Sequence, residues 1–120
     1  LLRSIARRLR PGGGLVLKVP ALPTLYSPMD TAIGHFRRYD LATLETRLVE
    51  AGFESAVTRP VNALGIVGWW LNGKVLRKET PPAAQVSAFN RIIPLAGRVE
   101  QSLRLPFGLS LMSLSRRTAA

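Results

Sequence analysis

The side chains best equipped for chemistry in this 120-residue chain cluster in one stretch: Asp30, His35, Arg37, Arg38 and Tyr39 fall within ten positions of one another. His35 is the only histidine. An imidazole titrates near neutrality, so His35 is the candidate general base and the candidate catalytic residue. The competing role for it is a hydrogen bond with Asp30 that shapes the surrounding segment. Arg37 and Arg38 carry planar forks suited to a carboxylate or phosphate and would clamp an anionic acceptor. For Arg38 the alternative is an ion pair with Asp30 or Asp40, and one of the two arginines is expected to be structural. Tyr39 joins Asp30, Arg37 and Arg38 in the candidate substrate-binding set, although its ring and hydroxyl also suit packing, as do those of Tyr26. No cysteine is present, which excludes disulfides and thiolate metal sites, and no metal site is expected.

A second group is Trp69-Trp70, set among Ile66, Val67 and Leu71 and followed by Lys74, Arg77 and Lys78. It reads as an interfacial membrane anchor over 64–78, as an apolar acceptor pocket, or as core packing of its own segment. Adjacent indoles cannot share one helix face, so at least one is expected to point away from the core.

The elements that position these groups follow from periodicity. Leu1, Leu2, Ile5, Ala6 and Leu9 recur at helical spacing with Arg3, Arg7, Arg8 and Arg10 on the wet side. Pro11-Gly12-Gly13-Gly14 ends that helix, and Leu15–Val19 reads as a strand covered on both faces. Residues 21–39 have no clear period and read as a long irregular connection of the kind that carries function. Asp40 is an N-cap for a helix whose Leu41, Leu44, Leu48 and Ala51 share a face, and Gly52 stops it. Phe53–Val61 is a strand, with Pro60 confining it to an edge or an exit. Residues 62–106 turn helical, broken at Pro81-Pro82 and at Pro94. Within them Val86, Phe89, Ile93 and Ala96 form a stripe opposite Arg91, Arg98 and Arg104. Leu109–Arg116 is a last strand with an irregularity at Met112. Alternating helix and strand predicts an α/β sheet, with ligands gathering beyond the carboxyl ends of parallel strands.

Composition bounds the reading. Apolar residues at 47% and charged residues at 20% describe one small globular domain. The longest uncharged apolar stretch, Pro60–Gly73, is shorter than the ~20 residues that cross a bilayer. Net charge is +10, with +5 in residues 1–20, −1 in 21–60 and +6 in 61–120. Basic ends of this kind attract anionic lipid, nucleic acid or acidic substrates, or simply solvate helices. Aromatic residues are not interleaved with the basic ones, so nucleic acid is not an expected partner.

Two motifs carry a resemblance. Leu9-Arg10-Pro11-Gly12-Gly13 followed by Gly14-Leu15-Val16-Leu17 resembles the helix, turn and fifth strand of class I S-adenosylmethionine-dependent methyltransferases. Val19-Pro20-Ala21, Tyr26, Asp30, Gly34-His35-Phe36-Arg37-Arg38-Tyr39 and Ala51-Gly52-Phe53 are similar, in order and spacing, to one bacterial branch of that family. The likeness is close over roughly the first 60 residues and looser afterwards, through Asn62 and Gly108-Leu109-Ser110.

The resemblance implies a Rossmann-like methyltransferase fold of which residues 1–120 form the carboxy-terminal portion, strands five to seven. Residues 63–106 would be a helical insertion before the last strand, and that strand would run antiparallel beside the fifth. It implies methyl transfer from S-adenosylmethionine to a small-molecule or lipid-linked acceptor, with residues 26–39 bordering the site. The family's glycine-rich cofactor loop and ribose-gripping acid would lie upstream of residue 1. Gly12-Gly13-Gly14 follows a helix and precedes a strand, the reverse of a nucleotide-binding turn. No cofactor contact is therefore assigned in this half, and the isolated chain is expected to be inactive. A cytoplasmic location, peripheral to the inner face of the membrane, is the matching expectation. The alternative is a basic non-enzymatic module that binds anionic membrane or RNA.

Overall fold

Three β-prone runs assemble into one sheet. The computed structural model describes residues 1–119 and contains β1 (Gly14–Pro20), β2 (Phe53–Val61) and β3 (Ser110–Arg117) in the order β1-β3-β2. β3 pairs antiparallel with both neighbours. Every pairing of the three strands is thus antiparallel, yet β1 and β2 point the same way and end at the same edge of the sheet. Pro60 lies in an edge strand, where a missing N–H is tolerated.

Helices α1 (Leu2–Arg8) and α3 (Leu41–Glu50) supply the core with Ala6, Leu44 and Leu48, which meet Ala21, Phe53 and Leu111 and the half-buried Leu15, Leu17 and Val19. Asp40 caps α3 by accepting from the Thr43 amide at 2.7 Å. Gly12, at φ +79°, makes the reversal between α1 and β1. Its amide donates to the Arg117 carbonyl at 2.9 Å, and the Gly13 carbonyl accepts from the Arg117 amide at 2.9 Å. The Arg117 guanidinium bonds the Leu9 carbonyl, so the turn is bound to the end of β3.

Four expectations need correction. β1 is covered on one face only: Val16 pairs with Leu114, which pairs with Val57, and this cross-strand row is 69%, 49% and 44% exposed. The sheet irregularity lies in β2, between Ser55 and Val57, and β3 passes Met112 without a break. Residues 21–39 are partly helical, with a 3-10 turn at Pro23–Leu25 and α2 at Pro28–Ala32. Pro94 does not end a helix: α5 runs from Ala83 to Leu103 through it. Asn90 and Pro94 are both exposed, so water reaches the carbonyl that loses its partner. The break at Pro81-Pro82 is present, separating α5 from α4 (Leu64–Trp69) and its π-helical continuation Trp70–Val75.

On β3, Leu111, Ser113 and Ser115 face inward, and Met112 and Leu114 outward. Ser113 and Ser115 are fully buried, their hydroxyls 2.8 Å apart. The Thr58 hydroxyl donates to Ser113 at 3.3 Å and lies 2.9 Å from that of Ser55. The four hydroxyls satisfy one another beneath the helices.

Candidate functional site

The shared carboxyl edge of β1 and β2 is where the chemistry-bearing residues meet. The chain leaving β1 at Pro20 forms α2 and the segment to Tyr39, and the chain leaving β2 at Val61 forms α4. α2 starts where Ser27 precedes Pro28, a residue pre-set for the first helical position. This puts Asp30 in the third position, where Oδ2 accepts from the Ser27 amide at 3.0 Å.

Asp30 is the hub. Its side chain is fully buried and takes three further donors: His35 Nδ1 at 2.9 Å, Arg38 Nε at 3.0 Å and Trp69 Nε1 at 3.3 Å. Burial pushes the carboxyl pKa up, but the bonds from His35 and Arg38, the Arg38 charge and the Ser27 amide outweigh it. The net result holds Asp30 below its ordinary range, and it is a carboxylate at neutral pH. Arg38 also donates to the carbonyls of Ala21 at 2.6 Å and Leu109 at 3.3 Å, and its guanidinium lies 4.7 Å from the centroid of the Trp69 ring. One buried cation therefore ties together the exit of β1, the approach to β3 and the helix after β2.

The residues expected to touch substrate divide sharply. Asp30 and Arg38 present no surface to a ligand, with side chains 0% and 1% exposed. Their expected substrate contacts give way to a framework role, and Arg38 is the structural arginine of the pair. Tyr39 is half-buried against the core and its amide donates to the Pro20 carbonyl at 2.8 Å, another framework position. Arg37 is exposed and makes no ion pair among the described residues. His35 is one-third exposed. Its Nδ1 donates to the carboxylate at 2.9 Å, and Nε2 is the ring nitrogen left for other partners. The Tyr26 hydroxyl donates to the His35 carbonyl at 2.8 Å, fixing the backbone behind the ring. Of the two indoles, Trp69 turns inward to Asp30 and Trp70 outward, 52% exposed.

Beside this cluster an open cleft of about 410 Å³ is bordered by Tyr26, Ser27, Thr31, Arg77 and Glu79. Gly73 packs under it: a Cβ there would stand 2.5 Å from Ser27 Oγ. Ser27 was missed in the sequence, although Ser27-Pro28-Met29-Asp30 carries the capping spacing that predicts a helix start. The role of Trp69 was missed as well, and a contact across 39 residues leaves no local signal.

The chain matches no protein-family model and no curated protein. In the Gly12-Gly13-Gly14 run, the Gly12 amide donates to the Arg117 carbonyl and the Gly13 amide to the Arg10 carbonyl, each at 2.9 Å. Among the described residues no group of acids and histidine is placed to hold a metal ion.

Proposed function

We propose that this chain forms the acceptor side of a Rossmann-like, S-adenosylmethionine-dependent methyltransferase, the cofactor being held by residues outside it. The observation that carries this reading is the course of β3 between β1 and β2. It aligns those two strands so that the segment after β1 and the helix after β2 converge on the Asp30–His35–Arg38–Trp69 cluster. The resemblance implies a last strand running antiparallel beside the fifth, β3 runs antiparallel beside β1, and ligands of open α/β sheets gather beyond the carboxyl ends of their strands.

In this reading Asp30 and Arg38 set the position of His35. Nε2 takes a proton from the nucleophilic atom of the acceptor, and the charge generated on the imidazole is balanced by the carboxylate behind it. Arg37, exposed two residues on, offers a cation to an anionic group of the acceptor.

Calorimetric titration of the chain with S-adenosylhomocysteine tests the division of labour. No micromolar binding is expected, and micromolar affinity would overturn the assignment of the cofactor elsewhere. In the protein that includes the cofactor-binding residues, His35→Ala is expected to lower turnover by roughly 10²- to 10⁴-fold with cofactor affinity kept. Parallel loss of both would make His35 a structural residue.

A further inference from the structure

Helix α5 is 21 residues long and buries none of them. Its inward side is defined by two contacts. The Glu100 carboxylate accepts from the amides of Asn62 at 2.9 Å and Leu64 at 3.3 Å, and Gln85 Oε1 accepts from Asn72 Nδ2 at 2.7 Å. Phe89 and Ala96, half-buried, lie on the same side. Next to it, Ala88, Ile92, Leu95, Val99 and Leu103 recur at intervals of three and four, which makes them one continuous face of the helix. Ile92, Leu95, Val99 and Leu103 are 48%, 65%, 47% and 63% exposed. Arg91 and Arg98 flank that face on its far side, followed by the polar Asn90, Gln101 and Ser102.

We propose that this face of α5 docks on an anionic membrane surface. Charge complementarity selects that occupant. Residues 62–106 carry six basic side chains, Lys74, Arg77, Lys78, Arg91, Arg98 and Arg104, against two acids, Glu79 and Glu100, and Glu100 is held by backbone amides. An apolar face edged by arginine is the composition that lies in the headgroup boundary, where each basic group gains from the negative leaflet potential. The neighbouring helical turns add exposed Val67, Trp70, Val75 and Leu76, and an exposed indole suits the same boundary. Among the described residues no helix is long and apolar enough to cross a membrane, so α5 lies along the surface. The proposal is independent of the methyl-transfer reading: it rests on α5 and the helical turns beside it.

Flotation with vesicles tests it, comparing pure phosphatidylcholine with vesicles in which about a third of the lipid is phosphatidylglycerol. Binding is expected to be about tenfold or more stronger on the anionic vesicles and to weaken with salt. Leu95→Asp combined with Leu103→Asp is expected to abolish it, and Arg91→Glu combined with Arg98→Glu to weaken it, both with an unchanged circular dichroism spectrum. Equal binding to both vesicles, binding that survives the double aspartate variant, or no binding at all would overturn the proposal. So would a dimer in sedimentation velocity that the aspartates dissolve without any vesicle binding by the parent chain, which would give the face to a second copy.

Discussion

Arg38 Nε stands 3.0 Å from the Asp30 carboxylate, with neither side chain open to solvent. A buried pair of this kind is held by the cost of breaking it rather than by the gain from making it. Removing one partner strands the other charge in a low-dielectric interior.

Asp30→Ala and Arg38→Ala are each expected to destabilise the fold by about 3–5 kcal/mol. In a double-mutant cycle the combined variant should cost much less than the sum of the two. Urea unfolding followed by circular dichroism measures all three, and strict additivity would mean that the pair does not act as a unit.

The depressed Asp30 pKa gives a signed pH dependence. A carboxyl that binds its proton less readily when folded contributes stability above the unfolded-state value of about 3.9. That contribution is lost as pH falls through the lower, folded value. Thermal midpoints taken from neutrality down to strong acid should fall below about pH 4, and part of that fall should vanish in Asp30→Asn.

Two close approaches make glycine obligatory at separate places. A Cβ at Gly73 would meet Ser27 Oγ at 2.5 Å and Ser27 Cβ at 2.9 Å. Gly73→Ala should therefore cost about 1–3 kcal/mol, and Ser27→Ala should recover part of it by removing the hydroxyl. A Cβ at Gly108 would instead strike the backbone of Val61, which has no rotamer to change. Gly108→Ala should be the more damaging of the two, with no rescue from a side-chain substitution at position 61.

The row Val16, Leu114 and Val57 lies on the open sheet face. Val16→Thr and Leu114→Thr are expected to change stability by no more than about 0.5 kcal/mol while raising the solubility of the chain. A large loss of stability would mean that the face is covered in solution.

Much of the frame was legible in the residues. The strands follow from short apolar runs bounded by glycine and proline, and the start and stop of α3 are spelled by Asp40 and Gly52. His35, Asp30 and Arg38 stand within nine positions of one another, and an ion pair with Asp30 is one of the roles that this spacing allows Arg38. Direction of burial was harder to read. In β3, apolar Met112 and Leu114 face out while Ser113 and Ser115 face in, because neighbouring hydroxyls satisfy each other there. Hydrophobicity by residue type places Leu111 correctly and misplaces residues 112–115. The Trp69 contact was illegible because tertiary folding alone joins positions 30 and 69, and Pro94 misled because an exposed helix loses little to a carbonyl that water can reach.

The central strand of the sheet is the last one in the chain. During synthesis β1 and β2 emerge well before β3, the strand among the described residues with which both pair. Ser110 joins Val61 across an interval that contains all of α4 and α5, so the sheet closes late and over long loops, which slows folding. Until then the edges of β1 and β2 that β3 will fill stay open, each a site for pairing with another chain. A shortened message that stops before Ser110 would leave α1 and α3 without the surface they pack on, and its product would be a target for proteolysis rather than a smaller version of the same domain.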